Sequence, residues 1–122
     1  MEAYLDNSAT TPLDPAVLSE LCRIYKEIPG NASSLYSLGL DAERELKRSR
    51  STLAHILGVE AKELYFTSGG TEANNMAILG VARAYSRQGK HLITTSIEHP
   101  SVLHTFEALK EEGWEVTCLP CD

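Results

Sequence analysis

Residues 64–75 read Leu-Tyr-Phe-Thr-Ser-Gly-Gly-Thr-Glu-Ala-Asn-Asn, and the order of residue types in this stretch decides the predicted fold. The first four residues, 64–67, are apolar or β-prone and predict a strand. Ser68, Gly69 and Gly70 interrupt this run, and helix-forming residues begin at Thr71. The pattern therefore predicts a strand, a glycine turn and a helix, in that order.

The start of a helix after a glycine turn can bind a phosphate group. The first backbone N–H groups of the helix have no intrahelical acceptor, and the aligned peptide dipoles add a partial positive charge. Gly69 and Gly70 can adopt positive φ and let an anion approach the backbone, while Ser68 and Thr71 each offer a hydroxyl group. The same residues also fit an ordinary loop in which Thr71 caps the helix and no ligand binds.

Two widespread phosphate-binding motifs do not match this turn. A P-loop requires Gly-x-x-x-x-Gly-Lys-Ser/Thr, and no such lysine follows the glycines here. A dinucleotide-binding fingerprint requires Gly-x-Gly-x-x-Gly, whereas Gly69 and Gly70 are adjacent. We therefore expect a small ligand that carries one phosphate group.

The chain after the turn alternates between helix and strand patterns. The predicted elements are a helix at 71–87, a strand at 91–95, a helix at 100–112 and a strand at 114–119. This β-α-β-α-β order predicts an α/β three-layer fold with a parallel sheet and with ligands beyond the carboxyl ends of the strands. His99 follows the second strand, so we expect it to meet the glycine turn at one edge of the sheet.

The chain before the turn predicts two helices and two polar loops. Asp14-Pro15 is typical of a helix start, and Pro29-Gly30 is expected to end that helix. A polar loop at 30–39 is longer than most connections in compact domains. A second helix is expected at 40–57, with Gly58 as its C-terminal cap.

Composition restricts the partners of the 122-residue chain. Seventeen acidic residues against 11 basic ones give a net charge of −6, which argues against nucleic acid. No apolar run approaches the ~20 residues of a membrane span, and the N-terminus lacks the order of a signal peptide, so we expect a cytoplasmic protein with no membrane partner. The three cysteines are expected to be free thiols, and no metal site is expected, because Cys118 and Cys121 lack a second ligand pair.

The sequence contains four polar motifs, Tyr4-Leu-Asp-Asn-Ser-Ala-Thr-Thr-Pro12, Gly30-Asn-Ala-Ser-Ser34, Phe66-Thr-Ser-Gly-Gly-Thr-Glu-Ala-Asn-Asn75 and Ser96-Ile-Glu-His-Pro100. Taken together, in this order and with this spacing, they resemble the N-terminal third of the cysteine desulfurases. These are pyridoxal-phosphate (PLP) enzymes of the class V aminotransferase group, with fold type I. The resemblance implies that residues 1–15 belong to the small domain and that residues 16–122 begin the PLP-binding large domain.

The resemblance also implies roles for three residues. Gly70 and Thr71 would hold the PLP phosphate, and His99 would stack on the pyridine ring and assist proton transfer. The implied reaction removes sulfur from L-cysteine, leaving alanine and an enzyme persulfide for iron–sulfur cluster or thio-cofactor synthesis. The implied partners are a sulfur-acceptor or iron–sulfur scaffold protein and a second copy in a homodimer.

The chain departs from the family pattern at Ala32 and Tyr36, where the family usually has proline and histidine. The family's pyridine-nitrogen aspartate, Schiff-base lysine and persulfide cysteine all lie beyond residue 122. We therefore expect an inactive N-terminal part of a longer enzyme, with apolar helix faces exposed. Two alternatives stay open: a selenocysteine lyase or another class V PLP enzyme, and a non-catalytic binding module.

Overall fold

The computed structural model describes residues 3–7 and 9–121, so Ser8 of the first motif lies outside the described residues. The chain divides into two compact units, Met1–Leu64 and Tyr65–Asp122. The assignment of residues 1–15 and 16–122 to a small and a large domain stays a prediction.

The first unit contains two α-helices. Helix α1, Pro15–Glu27, begins as predicted, because Asp14 Oδ1 accepts a hydrogen bond from the N–H of Ala16 at 2.7 Å. Helix α2, Ser37–Leu57, ends as predicted at Gly58, whose φ of 68° lies in the left-handed region. A short 3₁₀ helix, Ala61–Glu63, follows α2 and leads toward the glycine turn.

Helix α2 begins three residues before its predicted start, which shortens the loop expected at 30–39. The carbonyl of Tyr36 accepts hydrogen bonds from the N–H groups of Gly39 and Leu40, and these bonds close the first turn. A β-carbon on Gly39 would lie 2.1 Å from the carbonyl oxygen of Ser34, and one on Gly30 would lie 1.9 Å from that of Leu38. Close backbone packing therefore explains both glycines.

The second unit contains a parallel βαβ arrangement, as predicted. Its elements are helix α3 (Gly70–Ala84), strand β1 (His91–Thr95), helix α4 (Pro100–Glu111) and strand β2 (Glu115–Leu119). Strands β1 and β2 pair in parallel, from His91 opposite Glu115 to Thr95 opposite Leu119. Helix α4 packs on both strands and α3 packs on α4, around a core of Ala82, Leu109 and Trp114. The α/β class is confirmed.

The strand expected at 64–67 is the main error of the fold prediction. Leu64 has extended dihedral angles, but residues 64–67 join no strand pair within the described part of the chain. A β-prone run becomes a strand only where a neighbouring strand accepts its backbone hydrogen bonds. Here β1 pairs with β2, and both of these were correctly predicted.

Large apolar side chains are exposed on several elements, as expected. Examples in the first unit are Leu5, Tyr25 and Leu35, and examples in the second are Tyr65, Ile93 and Ile97. None of the helices in the described part of the chain combines the length and the apolar character that a membrane crossing requires.

Candidate functional site

The start of helix α3 has no side-chain cap from any described residue. Its N-cap residue is Gly69, which is extended with φ 168°, and Gly70 is the first helical residue. Neither glycine lies in the left-handed region of positive φ that its sequence position had allowed. The N–H groups of the first turn have no intrahelical acceptor, so they are open to a ligand.

The space beside both glycines is open. A β-carbon built on Gly69 or Gly70 would meet no described atom within 4 Å. Neither backbone conformation nor packing within the described chain therefore requires glycine at these two positions, in contrast to Gly30 and Gly39. An open, uncapped helix start suits an anion that approaches the backbone closely, so these residues fit a phosphate group.

Ser68 bonds within the turn and does not offer its hydroxyl to a ligand. Its N–H and its Oγ each donate to Glu72 Oε2, and both distances are 2.7 Å. The hydroxyl donor and then the backbone donor of Ser68 hold the pKa of the Glu72 carboxyl below its ordinary value. Of the two hydroxyl groups noted in the sequence, the exposed Thr71 is the better placed to meet a phosphate.

His99 caps helix α4, as its position before Pro100 predicts. Its Nδ1 accepts a hydrogen bond from the backbone N–H of Ser101 at 3.1 Å, and Pro100 occupies the first helical position. The residue is exposed, so its ring can be reached from outside the described chain. The cap therefore uses one ring nitrogen of an exposed histidine.

Two further hydrogen bonds link His99 to helix α3. Ser101 Oγ lies 2.8 Å from His99 Nδ1, and Asn74 Nδ2 donates to the same Oγ at 2.9 Å. We had expected two neighbouring strands to bring the glycine turn and His99 together. That reason is wrong, because residues 64–67 form no strand in the described chain; the connection runs through the contact between α3 and α4.

Sequence reasoning missed both Asn74 and Ser101. A signal was present, because asparagine is a poor helix former and Asn74 and Asn75 stand together inside a predicted helix. Both side chains bond to helix α4, since Asn75 Oδ1 accepts from Thr105 Oγ1 at 2.9 Å. The three cysteines, Cys22, Cys118 and Cys121, are free thiols, as predicted, and all three are exposed.

A parallel βαβ unit with an uncapped helix start is typical of an α/β protein that binds a phosphate group. The sequence model of the aminotransferase class-V family matches residues 3–122. The chain therefore belongs to the aminotransferase class-V family.

Individual relatives carry more specific names. The chain is 50% identical over 119 residues to the NifS/IcsS protein homolog of Lactobacillus delbrueckii subsp. bulgaricus, covering 98% of this chain and 31% of that protein. It is 48% identical to the cysteine desulfurase IscS of Methanosarcina thermophila, covering 98% of this chain and 30% of that protein.

Solved structures agree with the sequence comparisons. A NifS-like protein aligns with a TM-score of 0.86 and 37% identity, covering 97% of this chain and 32% of that structure. SspA in complex with cysteine aligns with a TM-score of 0.82 and 36% identity, covering 95% of this chain and 33% of that structure. The fold type I assignment is confirmed, and the chain spans about a third of the length of these proteins.

Proposed function

We propose that this chain supplies the phosphate-binding turn and the stacking histidine of a PLP-dependent cysteine desulfurase. Gly70 and Thr71 hold the phosphate of the cofactor, and the ring of His99 stacks on its pyridine ring. The observation that carries the proposal is the uncapped start of α3 with open space beside its glycines. The hydrogen bonds from Asn74 to Ser101 and from Ser101 to His99 support a single site.

The relatives support the reaction class. Proteins named cysteine desulfurase cover nearly the whole chain, and one similar structure holds cysteine. L-cysteine as substrate, a persulfide product, a sulfur-acceptor partner and a homodimer therefore belong to the proposal. The cytoplasmic location belongs to it as well and rests on the sequence alone.

Each residue has a distinct task in the proposed site. The N–H groups at the start of α3 and the Thr71 hydroxyl bind the phosphate, since charge-assisted hydrogen bonds are stronger than neutral ones. The imidazole of His99 keeps the pyridine ring in place and exchanges protons with the substrate. PLP, when bound, supplies the electron sink for loss of the substrate α-proton.

Binding of pyridoxine 5′-phosphate to the chain tests the phosphate site. This probe has the ring and phosphate of PLP but no aldehyde, so it cannot react with surface lysines. We expect the chain to bind it, and to bind pyridoxine, which lacks the phosphate, at least tenfold more weakly in calorimetry. Thr71→Val should weaken binding of the phosphate form about tenfold, because one hydrogen bond to a charged group is lost.

The matched control for this variant is Thr52→Val in helix α2. Thr52 Oγ1 donates to the carbonyl of Arg48, so this change removes a threonine hydroxyl in the other unit. Binding by Thr52→Val should equal that of the wild-type chain. Equal binding of pyridoxine and its phosphate, or equal loss in both variants, would contradict the phosphate role of Thr71.

The desulfurase part of the proposal has a separate test. The reading frame that encodes the chain can be followed past codon 122 and inspected for a lysine preceded by Ser-x-His and for a later cysteine loop. Their presence, together with release of alanine from L-cysteine by the encoded protein, is the expected result. A stop codon there, with no second chain that supplies the lysine, would favour a binding module without this chemistry.

A further inference from the structure

Two polar atoms of Ser101 lie within hydrogen-bond distance of one nitrogen of the His99 ring. Nδ1 lies 3.1 Å from the backbone nitrogen of Ser101 and 2.8 Å from Ser101 Oγ. A backbone N–H can only donate, so Nδ1 must present its lone pair and carry no proton. The proton of the neutral imidazole therefore lies on Nε2.

Asn74 determines the direction of the bond between Ser101 and His99. Its side-chain amide donates to Ser101 Oγ at 2.9 Å, so this oxygen acts as the acceptor toward Asn74. The single hydroxyl proton of Ser101 then remains for the bond to Nδ1. The chain of hydrogen bonds runs from Asn74 to Ser101 to His99, and it favours the same tautomer as the backbone donor.

Burial strengthens this arrangement. Ser101 is only 8% exposed and Asn74 is partly buried, so water competes little for their polar atoms. One turn further along α4, the buried Thr105 donates to the Oδ1 of Asn75, the neighbour of Asn74, at 2.9 Å, and its Oγ1 also lies 2.7 Å from the carbonyl oxygen of Ser101. This second contact between α3 and α4 holds Asn74 opposite Ser101.

We propose that Ser101 and Asn74 are positioning residues for His99. They keep the neutral ring in the tautomer that carries its proton on Nε2, and they hold it in one orientation. Protons therefore reach and leave this ring through Nε2. The catalytic value of this arrangement rests on the proposed function, but the tautomer is a property of the chain without any cofactor.

The test is ¹⁵N NMR of the histidine rings in the ligand-free chain, at a pH at which the rings are neutral. The two ring nitrogens give distinct signals according to which one carries the proton, and His99→Asn identifies the signals of His99. We expect Nε2 to be protonated and Nδ1 to be unprotonated in the wild-type chain. This measurement does not depend on the folding of any positioning variant.

Two variants test the named residues. Asn74→Asp replaces the amide donor with a carboxylate, which accepts a hydrogen bond from the Ser101 hydroxyl. Ser101 Oγ then turns a lone pair toward His99 Nδ1. The fraction of His99 rings with the proton on Nδ1 should therefore rise about fivefold or more. Ser101→Ala keeps the backbone donor but removes the hydroxyl, and a change of about fivefold in the same direction is expected. Ser86→Ala is the control, because Ser86 Oγ donates to the Arg83 carbonyl at the far end of α3.

Two outcomes would overturn the proposal. One is a wild-type ring with Nδ1 protonated or with both tautomers in similar amounts. The other is a tautomer ratio that stays at the wild-type value in both Asn74→Asp and Ser101→Ala. If the expected tautomer is found in a chain that does not bind pyridoxine 5′-phosphate, the positioning role stands and the proposed phosphate site fails.

Discussion

Helices α3 and α4 pack on each other, but their N-terminal ends differ. The difference lies in which groups accept hydrogen bonds from the first backbone N–H groups of each helix. At α4, the His99 side chain accepts from the second helical residue and closes the end of the helix. At α3, Gly69 has no side chain to do the same, and no described residue takes its place. The N-terminal end of α4 is capped by a side chain of the protein, and the N-terminal end of α3 is open to a ligand.

The difference shows that side-chain capping and anion binding are alternative uses of a helix N-terminus. A capping side chain and a bound anion compete for the same N–H groups, so a helix start can serve one purpose or the other. Asn74 and Ser101 connect the open start of α3 to the capped start of α4. The cap of α4 also orients the imidazole, so the capped helix contributes to the site through its side chain.

The largest effect is expected when the open helix start is given a cap of its own. Gly69→Asp places a carboxylate at the N-cap position, where nothing lies within 4 Å of the new β-carbon. The carboxylate occupies the donors that a phosphate would use and repels it, so affinity for pyridoxine 5′-phosphate should fall about 100-fold. Calorimetric titration measures this change.

The same substitution should raise the free energy of unfolding by roughly a few tenths of a kcal/mol, because aspartate caps better than glycine. Gly89→Asp is the matched control, since it adds the same charge at another exposed glycine with open space beside it. Equal loss of affinity in both variants would mean that net charge, and not the helix start, governs binding.

An intermediate effect is expected when the cap of α4 is removed. His99→Ala leaves the N–H of Ser101 without its acceptor, and the free energy of unfolding should fall by about 1 kcal/mol in urea denaturation. His99→Asn supplies a new capping oxygen and should restore most of this loss. Neither variant has an imidazole, so both should bind pyridoxine 5′-phosphate more weakly than the wild-type chain. Wild-type affinity in His99→Asn would refute the stacking role.

The smallest effect concerns the charge inside the glycine turn. The pKa of Glu72 is lowered below the ordinary 4.5 because the charged carboxylate accepts two bonds from Ser68. The contribution of this contact to the free energy of unfolding is therefore present above the ordinary pKa. It is lost as the pH falls through the lowered pKa. In a carboxyl ¹³C titration, Ser68→Ala should raise the pKa of Glu72, and Ser86→Ala should leave it unchanged.

Local patterns predicted most of the second unit. Strands β1 and β2 and helix α4 lie within about one residue of their predicted positions, because proline at the helix start and glycine at its end mark the boundaries. Local residue patterns were not sufficient to decide whether residues 64–67 form a strand. Whether an apolar run pairs depends on a partner elsewhere, and residue types within the run carry no information about that partner.

Only part of the candidate site was predicted from the sequence, and the reason is similar. His99 and the glycine turn carry local signals, namely a cap before Pro100 and two adjacent glycines. The bond between Asn74 and Ser101 joins residues 27 positions apart, so it depends on how α3 packs on α4. The packing of two helices depends on many side chains together, so neither Asn74 nor Ser101 alone predicts it.

The core around Leu109 is small, and its size sets the thermal behaviour of the chain. Among the residues that the structure describes, the buried apolar side chains are those of Ala54, Ala82, Leu109 and Trp114. The heat-capacity change on unfolding grows with the apolar surface that becomes hydrated. It should therefore lie below the ~12–15 cal/mol/K per residue of ordinary globular proteins, which gives a flat stability curve and a broad thermal transition.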